Sequence, residues 1–241
     1  ESLPSPESLP SPDSLPASNT LSDRQVLNPD ADFTPEGIRR WTWKRYRAKL
    51  SAIAKVIVAA GNWEPPEVVG LCEVEESRVL KDLVQHPILE PYAYEFVHRD
   101  SRDHRGMDVA CLFRKDRIKL VEWSTHSPDR SLKGENLSLQ TGADHIRGTQ
   151  STRGTRDMLH LCFEWGKKDS LDLFLVHLVS KYGGAGATAE RRRKQVEYLC
   201  QLADSVHRHR PVSLKVLGGD YNESYEAYSM EALRVAYPGG D

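Results

Sequence analysis

The sequence predicts an α/β or α+β domain, with strands in two layers and helices outside them. Three observations lead there. Apolar runs of strand length outnumber the helical patterns. Helical patterns fall between some of those runs rather than in a separate block. The chain has 241 residues, 39% hydrophobic and 28% charged, enough for one large core or two small ones.

The amino-terminal residues read ESLPSP, ESLPSP, DSLPAS, a hexad repeat of Ser, Pro, Leu and acid. Such a stretch cannot bury enough apolar surface to offset its ordering entropy. Residues 1–30 are therefore expected to be a disordered Ser/Pro/Leu linker, with a short docking peptide as the alternative reading. Residues 31–241 are expected to fold. Thr34, Pro35 and Glu36 look like a helix entry and Gly61 like its exit, which sets a helix over about 36–60. Trp43, Tyr46, Leu50, Ile53 and Ile57 mark its apolar face. Arg40, Lys44, Arg45, Arg47 and Lys55 mark a face that is ordinarily solvated.

"EVVGLCEV" (67–74) is almost wholly apolar, as a strand covered on both faces would be. "EESRVLKDLVQ" (75–85) is helical in pattern, and "YEFVHR", "MDVACLFRK" and "IKLVEWS" read as successive strands. Residues 126–154 are polar and rich in turn formers, the composition of a long functional loop. "RDMLHLCFEWG" and "LDLFLVHLVS" form a hairpin. A helix over 187–207 turns Val196, Leu199, Cys200, Ala203 and Val206 inward. "VSLKVLGGDYN" is the last strand, and the tail after it is weakly helical.

A net charge of −2 gives no global basic field for nucleic acid, although a local patch stays open. No apolar run has the length of a membrane span. The first residues lack the charged-then-apolar pattern of an export leader. The chain begins at Glu1, so a removed leader or a missing start stays open, and the compartment is not fixed. Cys72, Cys111, Cys162 and Cys200 lack the spacing of a zinc site and are expected to be free thiols, mostly buried.

Polar groups stand where apolar strands stop. Glu73 ends one strand, Asp108 begins another, His177 interrupts "LFLVHLVS", and Asp220 and Asn222 follow the two glycines of "VLGGDYNE". Singly, each has an ordinary explanation: a hydrogen-bonded core histidine, or a carboxylate that caps a turn. Together they suggest more. A glutamate and an aspartate at neighbouring strand ends could seat Mg²⁺, which takes one or two carboxylates and keeps positions for water and phosphate oxygens. Histidine and asparagine beside them could donate hydrogen bonds to phosphoryl oxygens as charge develops.

In chain order, "VVGLCEVE", "RGMDVACLF", "TRDMLHL", "LFLVHLVSKYGG" and "LGGDYNE" resemble the endonuclease/exonuclease/phosphatase (DNase I-like) family. The pattern is most similar to bacterial members that open this region with a run like "FTPEG…W…KRY…KL". The likeness runs from about Asp32 to Glu223. It implies a four-layered α/β sandwich, two mixed sheets face to face with outer helices. It also implies a metal-dependent phosphoester hydrolase of nuclease, phosphodiesterase or phosphatase type. On the matching positions, Glu73 would hold Mg²⁺ or Mn²⁺ and His177 would hydrogen-bond the scissile phosphate. Asp220 would orient the attacking water or the phosphate-side network, and Asn222 would help stabilise the transition state. Asp108 would shape the site behind these groups, and Arg156, at the rim before a strand, would meet substrate phosphate.

The family's first-strand asparagine and last-strand Asp-His pair are not matched in this sequence. The sandwich is therefore expected to lack two outer strands, with open sheet edges. Three explanations stay open: a fragment of a longer, carboxy-terminally extended product; a folded but inactive relative serving as a binding or scaffold domain; or a site that recruits another base, such as His145 or His126. The partner is expected to be a phosphoester, with nucleic acid one candidate, and the chain to be a monomer. The run Arg191–Lys194 at a helix start could track a phosphate backbone, though such runs are ordinarily solvated.

Overall fold

The computed structural model describes residues 34–101, 107–128, 156–166 and 169–238. The expected linker over 1–30, His145 and most of the polar stretch 126–154 lie outside them. The chain divides into two compact units, Glu1–Arg47 and Ala48–Asp241.

In the first unit, the helix expected from residue 36 starts later. Thr34 closes a turn instead: its Oγ1 accepts the Gly37 N–H at 3.0 Å, and its carbonyl accepts the Trp41 N–H at 2.9 Å. Arg40 then takes a left-handed conformation, φ 45°, which no helix interior tolerates. Thr42 is the working cap, accepting the Arg45 N–H on its Oγ1, and α1 runs Trp43–Ala60. Two capping residues compete here, and the second one leads into an uninterrupted helical pattern.

Within the second unit, the strands form two sheets. β1 (Val68–Val74), β2 (Tyr94–His98) and β3 (Asp108–Arg114) make a three-stranded sheet in the order β1-β3-β2. Among the described residues its strand pairs are antiparallel. The second sheet has the order β4-β5-β6-β7, from β4 (Lys119–His126), β5 (Met158–Trp165), β6 (Asp169–His177) and β7 (Leu214–Asp220). It is mixed because α3 (Ala185–His209) carries the chain back between β6 and β7, and only a crossover of that length permits a parallel pair.

The sheets pack face to face. Val109, Cys111 and Phe113 of β3 meet Leu159, Leu161 and Phe163 of β5 and Leu173 and Leu175 of β6. Every residue of β3 is buried, as expected for a central strand covered on both sides. The opposite face of the second sheet carries Phe174 and Val176 against Val196, Leu199 and Ala203 of α3. Each fully buried large side chain contributes about 1.5–3 kcal/mol. α2 (Ser77–Val84) packs on β1 and β2 with Leu80 and Leu83 inward. The order of layers is therefore helix, sheet, sheet, helix. A short α4 (Glu231–Ala236) follows β7 and packs on α3. The four cysteines are free, three buried and Cys72 half-buried.

Candidate active site

The parallel pairing of β6 and β7 brings two of the expected residues together. In register, His177 stands opposite Asp220, at the carboxyl ends of both strands. The imidazole Nε2 lies 3.9 Å from Asp220 Oδ2. The ring is buried, whereas the aspartate side chain is 49% exposed and open to a solvated ligand. Just beyond β6, the Leu178 N–H donates to the Asp220 carbonyl at 2.8 Å, extending the pairing by one bond.

The turn after β7 explains its paired glycines. Gly219 has φ 132°, and a Cβ there would lie 2.0 Å from the Val176 carbonyl oxygen, so only glycine fits. Asp220 then folds its own loop: its Oδ1 accepts the Asn222 N–H at 2.8 Å, an Asx turn. Asn222 takes φ 52°, which asparagine tolerates better than most residues, and its Nδ2 donates to the Leu178 carbonyl at 3.0 Å. The acid and the amide are thus both fixed against the end of β6.

Glu73 arrives from the other sheet. The β1–β3 register shifts between Leu71 and Val74, a bulge that contains Cys72 and Glu73. Glu73 has φ 61°, an uncommon conformation for glutamate, and is exposed. Its neighbour Cys72 shows where the bulge lies. The Cys72 thiol lies 3.7 Å from the Val176 carbonyl oxygen, across the sandwich from its own strand. Burial raises its pKa; a hydrogen bond from the Asp220 backbone opposes that; the charges of Asp220 and Glu73 add to it. The Val176 carbonyl directly precedes His177, so the bulge lies against the end of β6. Sequence reading placed Cys72 only as a thiol in a strand; its position next to Glu73 was the one signal for a site role.

The model of the endonuclease/exonuclease/phosphatase family matches residues 19–237. The chain belongs to this family. As a member of it, the chain has solved structural relatives with the same fold. The human Nocturnin catalytic domain with bound sulfate is 19% identical, with a TM-score of 0.53, over 80% of this chain and 62% of that one. D. rerio TDP2 complexed with a single-strand DNA product is also 19% identical, with a TM-score of 0.52, over 77% and 59%. ANGEL2, a 2′,3′-cyclic phosphatase, in complex with adenosine-2′,3′-vanadate, is 17% identical, with a TM-score of 0.57, over 81% and 49%. The chain thus spans about half to three fifths of the length of these relatives. No curated protein matches it.

Within this family member, one of the remaining expected residues is placed differently from the expectation. Arg156 is not at the rim. It is 6% exposed, and its Nη1 donates to the carbonyls of Leu178 at 3.0 Å and His177 at 3.5 Å, bracing the strand end that carries the histidine. Its charge still reaches the site, where it opposes the rise of the Cys72 pKa. Asp108 is buried opposite Val74 and accepts the Ser101 N–H on Oδ2 at 3.2 Å. His126 does not join the site. It is buried at the end of β4, hydrogen-bonded to Ser124 at 2.8 Å and near the His160 ring, and burial lowers its pKa to about 4.

The basic run 191–194 does not present a bare cationic patch. Arg192 is fully buried and pairs with Glu223 at 3.0 Å, with further bonds to Thr188 and to the carbonyls of Val179 and Ala185. Arg193 pairs with Glu190 and Glu197, and Lys194 lies 4.0 Å from Glu190. Lys181 adds a second cation to Glu223 at 2.6 Å. Glu223 therefore ties the Asp220–Asn222 turn to α3. Its place directly behind "DYN" was the available hint, but its partner lay hidden in a run that looked solvated.

Proposed function

We propose that this chain is a metal-dependent phosphoester hydrolase in which Glu73 holds Mg²⁺ or Mn²⁺ and a water attacks the phosphorus. One observation carries the reading: the Cys72 thiol lies 3.7 Å from the Val176 carbonyl, so the bulge that carries the exposed Glu73 stands against the end of β6, where His177 and Asp220 pair. An electronegative, oxygen-rich and solvent-accessible corner of this kind fits a hydrated hard dication. When bound, the cation would polarise a phosphoryl oxygen and offset developing charge.

The chain's own residues do the rest. His177, held in the wall with Arg156 bracing its carbonyl, hydrogen-bonds the phosphoryl group. Asp220 orients the attacking water with the carboxylate oxygens that its Asx turn fixes. Asn222, pinned to Leu178, stabilises the charge that grows in the transition state. Arg156 adds positive potential from within the wall, and Asp108 supports the Glu73 bulge from the facing strand. The relatives solved with a DNA product and with an adenosine vanadate favour nucleotidic phosphoesters as the substrate class.

The test is hydrolysis of a chromogenic phosphodiester with and without Mg²⁺. Activity should require the cation and fall by about 10²-fold or more in Glu73→Gln. Hydrolysis unchanged by that substitution and by EDTA would overturn the reading. No hydrolysis of any phosphoester would leave a binding or scaffold role for the fold.

A further inference from the structure

We propose that this protein holds a second divalent cation, of the Zn²⁺ or Mn²⁺ type, between the end of β2 and the start of β3. Its ligands are His98, Asp100 and Asp108. One donor atom from each lies within 4.8 Å of the other two. His98 closes β2 and Asp108 opens β3, so the antiparallel pair delivers both from adjacent strand ends. Asp100 follows His98 by two residues and reaches back, its Oδ1 3.9 Å from His98 Nδ1.

Burial separates this group from an ordinary acidic cluster. The His98 side chain is only 2% exposed, and its Nε2 has no hydrogen-bond partner among the described residues. Its Nδ1 reaches Asp100 only at 3.9 Å, too far for a hydrogen bond. Asp108 is 3% exposed, and its Oδ1 is likewise buried without a partner among the described residues. Each such group is costly to leave unsatisfied. A cation bound through the His98 Nε2 and the Asp108 Oδ1, with Asp100 completing the set, would remove that cost. Metal–ligand bonds of about 2.0–2.2 Å place donors at most about 4.4 Å apart. Asp100, whose side chain is 83% exposed, has room to adjust to that spacing.

The donor set also selects the ion. Imidazole suits Zn²⁺ and its first-row neighbours, while Mg²⁺ prefers oxygen alone and keeps its waters. The proposed catalytic position at Glu73 has no such imidazole ligand, so the two sites differ in ion preference. This inference does not rest on the hydrolase reading. The ion would pin β2 to β3 beside the Val74–Asp108 pair, next to the bulge that carries Glu73.

The experiment is a calorimetric titration of the metal-stripped full chain with Zn²⁺ in excess Mg²⁺, paired with thermal melts. One Zn²⁺ per chain should bind and raise the Tm. Asp100→Asn, an exposed change that leaves the apo melt unaltered, should weaken binding by about 10-fold or more and remove the Zn²⁺-dependent rise in Tm. His98→Gln should do the same; should it fail to fold, Asp100→Asn decides alone. Glu73→Gln should leave the Zn²⁺ isotherm unchanged. The proposal falls if the parent takes up no Zn²⁺, if Asp100→Asn binds as the parent does, or if Glu73→Gln abolishes binding.

Discussion

The guanidinium of Arg192, fully buried in α3, lies 3.0 Å from the Glu223 carboxylate in the turn after β7. This ion pair joins the helix to the loop that shapes the candidate site. The Glu223 carboxyl is held below its ordinary pKa, first by the Lys181 hydrogen bond and then by the neighbouring charges. Loss of Glu223 leaves a buried cation. Glu223→Ala should therefore destabilise the fold by about 3 kcal/mol, read as a lower urea midpoint at constant m-value. Arg192→Met, which removes the buried charge itself, should cost less. Equal losses in both variants would show that packing rather than charge holds the turn.

The two glycines of "VLGGDYNE" should respond unequally. At Gly219 a Cβ would collide with the Val176 carbonyl at 2.0 Å, and φ 132° strains any side chain. Gly219→Ala should destabilise by about 3 kcal/mol or more and displace Asp220 from His177. At Gly218 the nearest atom to an added Cβ is Leu175 Cδ2 at 4.0 Å, an ordinary contact. Gly218→Ala should change stability by about 1 kcal/mol at most. Urea melts of the two variants side by side test the contrast.

Those glycines show what could be read from the sequence. Apolar period located every strand among the described residues and the inward face of α3, where Val196, Leu199, Cys200, Ala203 and Val206 are all buried. Strand ends located His177, Asp220 and Asn222, because a parallel pair with a crossover brings carboxyl ends to one edge. Glu73 was legible as a strand-end acid, but not its bulge, since a register slip exists only between two strands. Thr34 and Thr42 both look like caps, and local pattern does not rank them. The buried pair His160–Asp172, 2.9 Å apart and joined by Arg210, was invisible because each polar residue sits alone in an apolar run. Only the register of β5 on β6 makes them neighbours.

Asp220 separates chemistry from folding. In Asp220→Asn the amide Oδ1 can still accept the Asn222 N–H that the carboxylate accepts at 2.8 Å, so the turn is kept. Charge at the proposed site is lost. The proposed hydrolase should lose about 10²-fold or more in kcat with an unchanged melting curve. A variant of full activity would remove Asp220 from the site.

Acid sensitivity provides a test away from the site. His126 is 4% exposed, donates or accepts one bond with Ser124, and has its pKa lowered to about 4, chiefly by burial and then by the charge of His160. Unfolded, it should titrate at its ordinary value of 6.5. Between 6.5 and about 4 the unfolded chain takes up a proton that the folded chain refuses, so stability falls as pH falls through that window. The loss should total about 3 kcal/mol. Asp172 acts elsewhere on the scale: burial raises its pKa, but the His160 hydrogen bond and the Arg210 charge outweigh this and hold it below 3.8. Its contribution to stability is therefore present above 3.8 and is lost only at lower pH. His126→Asn keeps a partner for Ser124 without a titrating ring. Urea melts of parent and variant should diverge in slope between 6.5 and about 4 and run parallel above it. Identical slopes throughout would place the acid-sensitive group at another residue.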